Sequence, residues 1–206
     1  MPDTTIATDK QALRPGDTAK FANYTSFDNG INGIFVDIAR FKSTPIHNDF
    51  LFKVGNTNDS STWSDGPQPQ EITRRPGQGV DGSDRVVLTW SDHAVEKQWL
   101  QVTVLPTDNT ALAKLNVHYW DNAFGESGNS TINAFMDGVD FARSRDNMRN
   151  FLNQATITDK YDYNRDSFVD GTDIAIARDN VTNLLTPLKL ISAPGTGTQL
   201  PLSQGG

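Results

Sequence analysis

Oxygen-bearing side chains recur at alternate positions in one short stretch, DYNRDSFVDGTD, residues 162–173. Asp162, Asn164, Asp166, Asp170 and Asp173 hold its first, third, fifth, ninth and twelfth places, and the Phe168 carbonyl falls at the seventh. This is the ligand spacing of an EF-hand loop, where a large, hard cation takes six to eight oxygens at about 2.4 Å. Short Asp and Asn side chains on a tight loop supply such a shell, so the spacing points to calcium. The plainer reading is that acidic turns merely cap the helices that follow. Capping accounts for Asp173, but not for Asp162, Asn164 and Asp166 alternating upstream of it.

The stretch is also half of a repeat. FMDGVDFARSRDNMRNFL (135–152) aligns without gaps on FVDGTDIAIARDNVTNLL (168–185), matching Phe135 to Phe168, Asp137 to Asp170, Asp140 to Asp173 and Asn147 to Asn180. The alignment defines a first loop over 129–140, with Asn129, Thr131, Asn133, the Phe135 carbonyl, Asp137 and Asp140 as its ligands. Only two of these are carboxylates, against four in the second loop. One strong and one weaker calcium site are therefore expected, since ligand charge helps set affinity. The sixth place of such a loop is normally glycine. Here it is Ala134 or Ser167, so strained backbone is expected at both. Apolar Val169 at the eighth place predicts a short β-like pairing between the two loops.

The elements that must position these loops change character near Gly125. Before it, GIFVDIA, DFLFKVG, DRVVLTW, WLQVTVLP and LNVHYW alternate apolar and polar residues, the strand period. Clusters such as RPGD, DNGING and RRPGQGVDGSD punctuate them and make turns. After it the period becomes helical, with Ile174, Ala177, Val181 and Leu184/Leu185 on one face and Phe141, Met148, Phe151 and Leu152 on another. The expected fold is an antiparallel β-sandwich over 5–124, a small α-helical domain of paired loop–helix units over 125–191, and a flexible tail over 192–206.

Composition narrows the function. The net charge is −7, from 18 Lys and Arg against 25 Asp and Glu, which argues against a nucleic-acid partner. No cysteine is present, so thiolate sites and disulfides are excluded. No apolar run reaches the length of a membrane span, and the opening MPDTTIATDK lacks the apolar core of a signal peptide. His47, His93 and His118 are scattered, and GQGVDGSD lacks the Lys and helix of a phosphate loop. No catalytic residue is expected, and the chain reads as a non-enzyme. Among the four tryptophans, Trp63, Trp90, Trp99 and Trp120, alternation puts Trp90 in the core with Val86 and Leu88. It puts Trp99 opposite Leu100, Val102 and Val104, so Trp99 is expected to be exposed and is the candidate glycan-stacking surface.

Two tandem loop–helix units with twelve-residue loops closing on Asp, and no entering helix, resemble the dockerin type I module. FGESGNST, DFARSRDN and YDYNRDSFVDGTDIAIARDN are similar to the dockerin-like C-terminal modules of large secreted planctomycete proteins, over about 126–191. A looser similarity covers the strand region before it. The resemblance implies calcium-dependent folding, an extracellular or cell-surface location, and docking onto a cohesin-like β-sandwich. It further implies partner-binding residues just before each closing Asp, here Gly138, Val139, Gly171 and Thr172, of which only Thr172 carries the usual hydroxyl. The function expected is non-catalytic, calcium-dependent protein assembly, with a cohesin-like protein or another copy of this chain as partner. Contacts between copies that do not close would give a filament or surface layer. Glycan binding is the remaining alternative.

Overall fold

The computed structural model describes residues 6–183 and 185–195. Eight strands form: β1 (Tyr24–Thr25), β2 (Gly33–Ile38), β3 (Phe50–Gly55), β4 (Ser64–Asp65), β5 (Glu71–Arg75), β6 (Asp84–Thr89), β7 (Trp99–Val104) and β8 (Asn116–Asn122). One sheet runs β1-β8-β7-β3-β4 and the other β2-β6-β5. All neighbours are antiparallel except β1 and β8, which pair in parallel with Tyr24 against Asp121.

The side-chain period of two assigns each strand an inner and an outer face. Phe50, Phe52, Leu100, Val102 and Val104 of the larger sheet meet Ile34, Ile38, Val86, Leu88 and Trp90 of the smaller. Phe52 stands edge-on to Trp90 at 5.5 Å. Each large apolar side chain so buried contributes about 1.5–3 kcal/mol, and this layer is the sandwich core.

The larger sheet's outer face carries a second core. Trp99, Val117 and Tyr119 lie under Leu13 and Ala19 from the N-terminal side and Ala134, Leu188, Ile191 and Ala193 from the C-terminal side. Leu13 and Tyr119 exchange both backbone hydrogen bonds at 2.9 Å, and Ala193 N–H donates to the Asp17 carbonyl at 2.9 Å. The expected exposure of Trp99 is therefore corrected. It is 0% exposed, and its indole N–H donates to the Lys189 carbonyl at 2.8 Å. Alternation placed it on the outer face rightly, but that face is roofed by chain from both ends.

The expected C-terminal α-helical domain is also corrected. Among the described residues the region holds only two nine-residue helices, α1 (Gly138–Asp146) and α2 (Gly171–Asp179), set among loops and isolated bridges. Both stop six residues short of the periodic pattern, at Asn147 and Asn180. Their side-chain amides turn back to donate to the Arg143 and Ile176 carbonyls at 2.8 Å. Local capping of this kind competes with helix continuation. Met148, Phe151, Leu152, Val181 and Leu185, read as helix face, are consequently exposed. Flanking residues Ala134, Leu188 and Ile191 join the sandwich's outer core, so the loop–helix pair is built onto the sandwich. Within the expected tail, Ser192 bridges to Thr18; residues 196–206 and Leu184 lie outside the described residues. Among the described residues no helix is long and apolar enough to cross a membrane.

Candidate metal centre

Each helix begins on a reciprocal pair of aspartates. Asp137 accepts from Val139 N–H at 2.7 Å and its own N–H donates to Asp140 at 3.0 Å. Asp170 accepts from Thr172 N–H at 2.7 Å and its N–H donates to Asp173 at 3.0 Å. These capping boxes satisfy helix N–H groups that have no intrahelical partner. The two helices pack against each other, and Ser144 and Ala177, equivalent in the repeat, are both 0% exposed. Met136, Tyr163 and Ala177 form a small core there, with Phe141 and Ile176 against it. The two units are tied by exchange. Val169 pairs with Arg149, which follows α1, and Thr182, which follows α2, donates to the Met136 carbonyl at 2.9 Å. Each loop's eighth residue thus engages the segment after the other helix, where direct pairing of the loops was expected.

The second loop closes tightly around its acidic residues. Ser167 N–H donates to Asp162 Oδ2 at 3.0 Å, and Tyr163 N–H to Asp173 Oδ1 at 2.6 Å. Asn164 donates through Nδ2 to Asp166 Oδ2 at 2.8 Å and accepts from Asp166 N–H at 3.0 Å. Asp166 Oδ1 accepts from Phe168 N–H at 2.8 Å. Two consecutive tight turns put Arg165 at φ 60° and Ser167 at φ 73°, left-handed backbone that non-glycine residues rarely adopt. The strain expected at Ser167 is there, with Arg165 sharing it.

One atom in this loop is left without a partner. Asp162 is 2% exposed, and its Oδ1 is buried with no hydrogen bond. A buried carboxylate oxygen without a donor costs the full desolvation of that atom. Burial pushes the Asp162 carboxyl up to about 6; the Asp173 and Asp166 charges add to this, while Arg165 and the Ser167 N–H oppose it. Burial also raises Asp173. Among the described residues no three Asp, Glu or His side chains converge closely enough to hold a metal by themselves. The loop's other oxygen-bearing groups that could contribute beside Asp162 are Asn164, Asp166, the Phe168 carbonyl, Asp170 at the helix cap and Asp173, whose carboxylates do not converge into a ready-made group. Oxygen donors of mixed kind suit calcium, and Asp162 Oδ1, buried without a hydrogen bond, is the atom of this loop best placed to meet a cation.

The first loop is built differently. Ala134 is absent from the left-handed residues, so the strain expected there is not present. Ala134 is 1% exposed and bridges to Leu188 on the sandwich side. Asp140 is fully buried, as Asp173 is, but its Oδ1 accepts from Ser127, through N–H at 3.0 Å and Oγ at 2.7 Å. Ser127 stands 13 residues before Asp140, whereas Tyr163 stands 10 before Asp173. The first loop is therefore three residues longer, and Glu126, not Asn129, takes the place of Asp162. Sequence reading missed Glu126, because the ungapped alignment starts only at Phe135. Asn133 still accepts from Phe135 N–H, at 3.3 Å, while Thr131 is exposed.

The residues expected to meet a partner, Gly138, Val139, Gly171 and Thr172, are all exposed in the first helical turns. Glycan stacking finds no open indole at Trp63, Trp90 or Trp99, each 6% exposed or less. No protein family, curated protein or solved structure matches this chain.

Proposed function

We propose that the second loop binds one calcium ion and that this binding orders a loop–helix pair for calcium-dependent association with another protein outside the cell. The observation that carries the reading is the buried, unpartnered Oδ1 of Asp162, in a loop of EF-hand spacing that also carries Asn164, Asp166 and Asp173. Calcium would add positive charge beyond that of Arg165, the one basic residue of this acidic loop. The protein's own part is to hold the loop in strained turns at Arg165 and Ser167 and to fix Asp173 through two backbone N–H groups. Association is supported by the exposed first-turn residues and by apolar side chains left in solvent beside the helices. Phe151 is 77% exposed, Leu152 82% and Leu185 93%. The dockerin resemblance supports the extracellular setting and the protein class of the partner.

Calorimetric titration of the EDTA-stripped chain with calcium tests the site. The wild type is expected to bind, and the Asp162→Ala/Asp173→Ala double variant to release no heat. Absence of binding by the wild type sinks the reading. Sedimentation of the chain alone, with calcium and with EGTA, separates self-association from capture of a different partner.

A further inference from the structure

We infer that the first loop is not a second calcium site: a hydrogen bond from the sandwich, Tyr24 to Glu126, stands where the second loop would take its cation, so the chain holds one calcium. The inference rests on the proposed reading of the second loop, which sets the standard for comparison. In that loop the opening carboxylate, Asp162, keeps one buried oxygen without a donor. In the first loop the equivalent carboxylate, Glu126, is 0% exposed and has both oxygens engaged. Oε2 accepts from the Tyr24 hydroxyl and from Gly128 N–H at 2.9 Å, and Oε1 accepts from Asn129 N–H at 3.3 Å.

Two further features point the same way. The left-handed turns that wrap the second loop, at Arg165 and Ser167, have no counterpart at Ile132 and Ala134, so the intervening oxygens are not drawn inward alike. The three extra residues are instead spent on contact with the sandwich. Gly128, at φ 72°, lies so close to Phe21 that a Cβ would come within 2.5 Å of its ring. Tyr24 belongs to β1, beside Asp121 of β8. The Tyr24–Glu126 bond therefore fastens the first unit to the larger sheet with protein atoms alone. Ser144, whose hydroxyl donates to the Asp140 carbonyl at 2.9 Å and accepts from the Tyr163 hydroxyl at 3.0 Å, extends the tie to the second unit.

Native mass spectrometry and calorimetry of the full chain, EDTA-stripped and then titrated with calcium alone, test this beside melting curves. One calcium per chain is expected for the wild type, for Tyr24→Phe and for Glu126→Gln, and none for Asp162→Ala/Asp173→Ala. Tyr24→Phe and Glu126→Gln should lower the melting temperature by roughly 3 °C or more, and equally in EDTA and in calcium. Two calcium ions on the wild type, or one lost on Glu126→Gln, would overturn the assignment. If the wild type binds no calcium, the second-loop reading fails by itself. The Tyr24–Glu126 tie is then judged on melting: an unchanged temperature in both variants overturns it too.

Discussion

At the scale of single residues, burial sets the behaviour of the ionisable groups, and His118 gives the clearest consequence. It is 7% exposed on β8, with its ring edge-on to Trp120 at 6.2 Å. Burial, with the Arg14 charge adding, pulls its imidazole down from 6.5 to about 4. The unfolded chain therefore takes up this proton near pH 6.5 and the folded chain only near pH 4. The contribution to stability is full above pH 6.5 and is lost as pH falls toward 4, amounting to about 3 kcal/mol. Asp121 acts in the opposite sense, because burial holds its carboxyl well above the usual carboxylate range and favours the folded state while it is protonated. The wild-type profile alone mixes the two, so the comparison is with His118→Gln. In EDTA the wild type is expected to lose more stability to urea between pH 6.5 and 4 than the variant does; parallel profiles would refute it. Neither residue advertises this in sequence. Their burial comes from what lies across the sheet, not from their neighbours in the chain.

At the scale of elements, glycines mark where the loop–helix pair is tightest. Gly125 sits at φ 72°, and a Cβ there would lie 3.0 Å from the Ala177 Cα on α2. Gly125→Ala is expected to cost about 1–3 kcal/mol from clash and left-handed strain. Gly138, at the start of α1, has nothing within 4 Å of such a Cβ. Gly138→Ala should be neutral or stabilise by up to about 1 kcal/mol. Urea denaturation of the two variants checks the contrast, which would fail if their costs were equal. What was legible in sequence followed from local pattern. The five alternating runs became β2, β3, β6, β7 and β8 because period two is enough to define a half-buried strand. β5, EITRR, escaped notice because Ile72 is its one apolar residue. Its arginines are held instead by Asp84 and by the Phe35 and Phe41 rings. The second loop's hydrogen-bonded turns were legible because the polar side chains that make them sit within twelve residues. The first was misregistered because an insertion lying before the alignable part leaves no mark in an ungapped match.

At the scale of the molecule, the boundary read near Gly125 marks a change of texture rather than a break in packing. The covering segment around Leu188, Ile191 and Ala193 is too short and irregular to announce itself, yet it crosses back over the larger sheet. Ile191 is 0% exposed above Trp99 and Tyr119, and Asn56 of the sandwich side donates to the Pro187 carbonyl at 3.1 Å and accepts from Lys189 N–H at 2.8 Å. This shared layer predicts that the sandwich and the loop–helix pair unfold as one cooperative unit. Calcium bound at the second loop should then stabilise the whole chain, by about 2.7 kcal/mol at a hundredfold excess over Kd. For a chain of this size that raises the melting temperature by roughly 5–10 °C. Near-ultraviolet circular dichroism, dominated here by sandwich tryptophans, is expected to show a single transition that moves with calcium. Ile191→Ala, which opens a cavity in the shared layer at a cost of about 2–5 kcal/mol, should lower that transition while keeping it single. Two transitions in the wild type, with the tryptophan signal indifferent to calcium, would mean that the layer under Ile191 does not couple the loops to the sandwich.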